Sequence, residues 1–74
     1  MLTIYTKNGC AQCHDLRFKF ERKNIGYNLK VLDEDFTVIE IKRLFPNARS
    51  FPIVTDEYGK EMTMNEVEEF IDAF

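Results

Sequence analysis

The chain has 74 residues and a formal net charge of −3, from ten Lys and Arg against thirteen Asp and Glu. That balance argues against non-specific nucleic-acid binding as the main activity. No apolar run approaches the length needed to cross a bilayer, and the first residues lack the basic start, apolar centre and small-residue cleavage pattern of a signal peptide.

A single domain over residues 1–74 is expected, near the lower size at which a core without metals or staples is comfortable. Seven Phe and three Tyr help, since each ring removes a large apolar area from water. The expected location is cytoplasmic, with no membrane association. There, two cysteines spaced Cys-x-x-Cys point to redox or metal chemistry rather than a structural staple.

Leu2 to Thr6 alternates apolar and polar side chains, with β-branched and aromatic residues, and suits a strand. It leads into Tyr5-Thr6-Lys7-Asn8-Gly9-Cys10-Ala11-Gln12-Cys13-His14, which holds both cysteines. From Ala11 to about Lys23 there is no Gly or Pro, and Cys13, Leu16 and Phe20 share one helical face. A turn that delivers Cys10 to the first residues of a helix makes its thiol acidic, because the unpaired amides and the positive dipole end favour the thiolate. Cys10 is therefore the candidate nucleophile. Cys13 lies one turn further on, within disulfide reach, and is the candidate resolving thiol. Gly26 is expected to stop the helix. Phe18 is expected to form a small second cluster with Ile25, the alternative being an exposed docking residue.

Tyr27 to Leu32 reads as a second strand, with Tyr27, Leu29 and Val31 alternating against Asn28 and Lys30. The acidic run Asp33-Glu34-Asp35 is expected to start the next helix, although Thr37 and Glu40 are also spaced as a capping box. Val38, Ile41, Leu44 and Phe45 form its expected buried stripe, and Pro46 ends it at or before Phe45. Phe51 to Thr55 is a short apolar strand, and Asp56 to Gly59 turns it into a hairpin returning over Lys60 to Met62. Thr63 and Glu66 form another capping-box pattern, and Val67, Phe70, Ile71 and Phe74 give a closing helix its apolar face. The order β-α-β-α-β-β-α predicts an α/β domain: two parallel strands joined by a right-handed helical crossover, then an antiparallel hairpin, making a four-stranded mixed sheet with helices on both faces. The cysteine turn then lies at the carboxyl end of the first strand.

Several residues carry a functional and a structural reading side by side. Structural zinc takes four ligands and only His14 is available beside the cysteine pair, so no metal site is expected. His14 itself is expected to face solvent or a neighbouring loop. Lys7, three residues before Cys10, either stabilises the thiolate or a substrate carboxylate or is a solvated lysine. Tyr5 is either sheet core or the wall of an active-site groove. Arg17, Lys42, Arg43 and Arg49 could form a basic patch near the site, a scattered solvated surface being the expectation.

The chain resembles the glutaredoxins of the thioredoxin superfamily, in particular the short NrdH-redoxin and phage-type members. The residues that carry the resemblance are Ile4-Tyr5-Thr6-Lys7, Cys10-Ala11-Gln12-Cys13-His14 and Ser50-Phe51-Pro52-Ile53-Val54. The resemblance implies a thioredoxin fold and a dithiol–disulfide oxidoreductase that reduces protein disulfides, ribonucleotide reductase among them, and is recharged by glutathione or a thioredoxin reductase. It implies a cis bond between Phe51 and Pro52 and backbone pairing of Phe51 with the incoming substrate. With Lys7 and Gln12, these make the expected substrate-binding set. Two features depart from typical dithiol glutaredoxins: Met62-Thr63-Met64-Asn65-Glu66 stands where a Gly-Gly pair approaches glutathione, and Ala11-Gln12 replaces Pro-Tyr. Gln12 matches the NrdH-redoxins. The expectation is a monomer with no tightly bound cofactor and glutathione as a co-substrate. The alternative is a redox-sensitive binding module without turnover, or a dimeric iron–sulfur carrier held through Cys10 of each chain.

Overall fold

A computed structural model describes all 74 residues. The elements run β1 (Leu2–Thr6), α1 (Ala11–Arg22), β2 (Tyr27–Val31), α2 (Val38–Leu44), β3 (Ile53–Thr55), β4 (Glu61–Met62) and α3 (Met64–Asp72). The strands form one sheet in the order β2-β1-β3-β4. β1 and β2 are parallel, with Leu2 opposite Tyr27 and Thr6 opposite Val31. β3 runs antiparallel to β1, with Ile4 opposite Val54 and Tyr5 opposite Ile53. β4 returns antiparallel to β3. The predicted mixed sheet with three helices is the observed one, and no helix is long and apolar enough to cross a membrane.

The two-residue period of β1 divides the core. Leu2 and Ile4 face α1 and α3, packing with Leu16, Phe20, Ile25, Val54, Val67 and Ile71. Tyr5 faces the opposite way, beside a second cluster of Phe36, Ile41, Phe45 and Ile53 under α2. Phe20, Ile4, Val54 and Val67 are the largest fully buried side chains. Each contributes about 1.5–3 kcal/mol through area removed from water. Phe20 also meets Tyr27 edge-on at 5.5 Å and Phe70 at 6.3 Å between ring centroids. Phe20 thereby ties α1, which carries Cys13 and is capped by Cys10, to the sheet and to α3.

Five expectations are corrected. Gly26 does not stop α1. Asn24 does, at φ 57°, with the Ile25 N–H donating to the Phe20 carbonyl at 2.9 Å and the Asn24 N–H to the Glu21 carbonyl at 3.1 Å. This is the paired 6→1 and 5→2 bonding of a Schellman ending, and Asn tolerates the left-handed conformation because its short polar side chain bonds locally. It turns Ile25 back onto Phe20, so Ile25 joins the main core while Phe18, 56% exposed, lies outside under the Arg22 guanidinium. No Phe18–Ile25 cluster forms.

The acidic run does not start α2. Asp33 has φ 68°, Leu32 bridges to Phe36, and the Asp35 carboxylate accepts the Val31 N–H at 2.8 Å, so the run closes a tight turn after β2. The helix is capped instead by Thr37, whose hydroxyl accepts the Glu40 N–H at 3.2 Å while the Glu40 carboxylate accepts the Thr37 N–H at 2.9 Å. The buried stripe of α2 is also narrower than its spacing suggests: Ile41 and Phe45 are buried, whereas Val38 and Leu44 are exposed. A seven-residue helix lying along a narrow sheet offers only one line of contact. Finally, α3 buries Val67 and Ile71 and half-buries Phe70, but Phe74 lies past the helix end and is exposed.

Candidate active site

β1 ends at Thr6, and a turn through Gly9, at φ 77°, aims the chain into α1. That φ belongs to the left-handed region, where glycine carries no Cβ penalty. Cys10 follows as the N-cap residue of α1, with extended backbone at φ −99° and ψ 107°. Its sulfur occupies the position a Ser or Asp oxygen usually takes at an N-cap and accepts the Cys13 N–H at 3.1 Å. The Cys10 carbonyl accepts the His14 N–H at 3.1 Å, closing the first turn. Negative charge on this sulfur is therefore met by a directed amide and by the positive end of the helix dipole.

Cys10 and Cys13 are joined as a disulfide, with Cα atoms 5.3 Å apart. The two sulfurs differ in access. Cys10 is half-buried at the surface, whereas Cys13 is 2% exposed, on the inner face of α1 with Leu16 and Phe20. An external sulfur can approach Cys10 and is shielded from Cys13.

The second wall of the site comes from 41 residues further along the chain. The Phe51–Pro52 peptide is cis, as the resemblance implied, and the Cys10 sulfur lies 3.9 Å from the Phe51 carbonyl oxygen. In the disulfide state this is a packing contact; a Cys10 thiol at the same position could donate to that carbonyl. The pairing of Tyr5 with Ile53 sets this approach, because it brings the end of β1 level with the segment entering β3. The Phe51 ring is held by Phe36 at 5.9 Å, and Phe36 by Tyr5 at 5.3 Å. Tyr5 also meets Phe45 edge-on at 5.5 Å, so it belongs to the core of the α2 face and supports the site from beneath.

Two grooves meet at Ser50 and Phe51. The larger, about 350 Å³, runs between α1 and α3 and is lined by Gln12, Asp15, Lys19, Pro52, Met64 and Glu68 among others. Lys19 pairs with Glu68 at 2.9 Å across its far end, and this hydrogen bond raises the Lys19 pKa above its usual value. The smaller, about 210 Å³, lies toward α2, with Lys7, Lys42 and Arg49 around an apolar floor. Gln12 and Pro52 thus fall in the groove on one side of Phe51 and Lys7 in the groove on the other.

Other candidates disperse. His14 is exposed on α1. Arg17 is directed at β2, donating from Nε to the Tyr27 hydroxyl at 3.2 Å, which in turn donates to Glu21 at 2.9 Å. Arg43 lines neither groove, whereas Lys42 and Arg49 converge with Lys7, so the basic patch is partly assembled with different membership. No group of three or more His, Cys, Asp and Glu side chains is gathered as a metal site. Met64, Glu68 and Lys19 had no prior signal as site residues; their place on the rim follows only from how α3 packs beside α1.

No protein-family model matches the sequence, nor does any curated protein. Among solved structures, glutaredoxin 1 from Francisella tularensis, crystallised in complex with cacodylate, superposes with a TM-score of 0.72 at 19% identity, covering 97% of this chain and 92% of that one. NrdH-redoxin from Escherichia coli, described as a glutaredoxin-like protein with a thioredoxin-like activity profile, gives 0.68 at 22% identity, covering 92% and 91%. The fold is the thioredoxin fold as glutaredoxins have it.

Proposed function

We propose that this chain, built on the glutaredoxin version of the thioredoxin fold, is a dithiol–disulfide oxidoreductase acting through Cys10 and Cys13. The observation that carries the reading is the Cys13 N–H directed at the Cys10 sulfur, on the one accessible sulfur of the pair, at the head of a 12-residue helix. In the reduced protein the Cys10 thiolate attacks one sulfur of a target disulfide. A new S–S bond forms to Cys10, and the other target sulfur leaves as a thiolate. The Cys13 thiolate then attacks the Cys10 sulfur, expelling the second target thiolate and leaving the Cys10–Cys13 disulfide. Two electrons pass to the target, and the two protons given up by the cysteines end on the released thiols.

Burial of Cys13 suits its part, because it then reaches only the Cys10 sulfur of the mixed disulfide. The backbone of Phe51, half-buried and outside the strand ladder, can pair with an extended target segment, which tolerates many side chains. Protein disulfides are the substrate class, and the likeness to NrdH-redoxin supports ribonucleotide reductase as one acceptor. An external thiol restores the dithiol, either two glutathione molecules or a thioredoxin reductase. Met64, a side chain on the groove rim where the sequence lacks a glycine pair, favours the reductase.

Cys10→Ser is expected to abolish reduction of a disulfide substrate, and Cys13→Ser to accumulate a mixed disulfide through Cys10, read by mass spectrometry. Full activity of Cys10→Ser would end the assignment. Coupled assays with glutathione and its reductase, or with thioredoxin reductase, identify the electron source.

A further inference from the structure

The chain has three methionines, and the fold gives them three different surroundings. Met62 is half-buried against the main core cluster. Met1 lies beside Leu2 and Tyr58, at the end of β1 away from the cysteines. Met64, the first residue of α3, is 43% exposed on the rim of the groove between α1 and α3. The other apolar lining of that groove is less accessible: Leu16 is buried, and Phe51 and Pro52 are half-buried. Met64 is therefore the main apolar surface that a substrate entering this groove can cover.

The same groove adjoins the reactive sulfur. Gln12, on one wall, stands between the two cysteines in the chain, and the carbonyl oxygen of Phe51, on another, lies 3.9 Å from the Cys10 sulfur. A thioether in that place meets the same oxidants as the cysteines. Thiolates react first, so the dithiol protein shields it. Once Cys10 and Cys13 are joined, neither is a thiolate, and the exposed thioether is the next nucleophile. Its sulfur lone pair attacks one oxygen of a peroxide; the O–O bond breaks, an S–O bond forms, and water departs after proton transfer. Sulfur loses two electrons and the peroxide gains them. The product is polar where the side chain was apolar, and the Gln12 amide and Ser50 hydroxyl, both exposed in the same groove, are donors for its oxygen.

We propose that Met64 is an oxidation site that tunes the groove: peroxide converts its thioether to the sulfoxide while the cysteines are held as a disulfide, and the polar rim that results weakens docking of substrates with an apolar flank. The inference rests on the oxidoreductase reading and adds a control acting on the same site. The modification accumulates only after the dithiol is spent. It then outlasts re-reduction of the disulfide, because simple thiols leave the sulfoxide in place and methionine sulfoxide reductases remove it.

The test starts from protein with its disulfide formed, treated with hydrogen peroxide, cleared of peroxide by catalase, then reduced with dithiothreitol and desalted. Tandem mass spectrometry is expected to find the sulfoxide at Met64, with both cysteine thiols still titratable. Stopped flow then follows 2-thiopyridone release from a peptide whose single cysteine, flanked by Phe, carries a 2-thiopyridyl disulfide. Attack of Cys10 on the peptide sulfur releases the thiopyridone, and Cys13 then releases the peptide thiol. Peroxide treatment is expected to lower this rate constant roughly fivefold, and that for the 2-thiopyridyl disulfide of mercaptoethanol, which has no flank to dock, by less than about twofold. Methionine sulfoxide reductases should restore the peptide rate. Met64→Leu is expected to give the same rate before and after peroxide, Met64→Gln to be slow with the peptide without peroxide, and Met1→Leu to keep the full response. An unoxidised Met64, a sulfoxide at Met64 with an unchanged peptide rate, a loss that the reductases do not reverse, or an equal loss in Met64→Leu would each overturn the proposal. Failure of the untreated protein to cleave the mercaptoethanol derivative would overturn the oxidoreductase reading itself.

Discussion

Phe20→Ala tests whether the helix bearing the cysteines is anchored by one ring. Phe20 is fully buried, contacts the Tyr27 and Phe70 rings, and receives Ile25 through the Schellman ending. Removing a ring from such a site costs about 3–5 kcal/mol, combining lost transfer free energy with the cavity left behind. A domain of this length has a total stability of about 4–11 kcal/mol, so one substitution consumes about a quarter of it or more. At about 4–8 °C per kcal/mol for small domains, Tm should fall by at least about 12 °C. Urea unfolding of the oxidised protein, with m unchanged, gives the difference directly. Phe18→Ala on the same helix, at a ring 56% exposed, should change stability by no more than about 0.5 kcal/mol. If Phe20→Ala lost less than about 1.5 kcal/mol, or if the two substitutions were equivalent, the assignment of the inner and outer faces of α1 would be wrong.

Thr63→Ala should cost about 0.5–2 kcal/mol in chemical denaturation, because it removes one half of the capping box at the head of α3. The other half makes stability pH-dependent: the Thr63 backbone N–H bonded to Glu66 at 2.8 Å, aided by the Thr63 side chain, holds the Glu66 carboxyl below its ordinary 4.5. That contribution is fully present above pH 4.5 and is lost as pH falls through the lower folded value; Glu66→Gln should flatten this part of an acid titration of stability. Lys19 has the opposite sign: raised by Glu68, its contribution is present below 10.5 and disappears as pH rises through the higher folded value, a change that Glu68→Gln should remove from an alkaline titration. Asn24→Val should lose about 1–2 kcal/mol because a β-branched residue resists the left-handed conformation, whereas Asn24→Gly should be close to neutral by thermal denaturation.

Much of this architecture was legible where local signals act alone. Both capping boxes and the stripe of Cys13, Leu16 and Phe20 depend on residues three or four apart, β1 on alternation two apart, and each appears as the spacing predicts. The departures occur where tertiary contact decides. Whether Val38 or Leu44 is covered depends on how much sheet lies beneath α2, which periodicity does not encode. Asp33 to Asp35 carry the composition of a helix start, but the Leu32–Phe36 bridge commits that backbone to a turn. Gly26 was the more permissive residue, yet the left-handed position falls two residues earlier, where Asn24 lets Ile25 reach the core. In the site, the cysteines announce themselves by spacing. Met64 and Glu68 do not, because nothing in a run of α3 residues shows which of them will lie beside Cys-bearing α1.

The geometry of the site depends on a register as much as on a motif. Cys10 and Phe51 are far apart in sequence, and the alignment of Tyr5 with Ile53 sets their distance. Slipping that pairing by one residue would turn Ile53 and Val54 to the wrong faces of the sheet, exchanging the contents of two separate cores. The burial of Ile4 and Val54 on one side, and of Ile53 against Phe36 and Phe45 on the other, therefore opposes any slip from both faces together. A Cys-x-x-Cys turn on a helix end would supply an activated thiolate in many settings. In this chain the two hydrophobic clusters also hold the Phe51 carbonyl beside the Cys10 sulfur, so that the packing of the core determines what surrounds that sulfur.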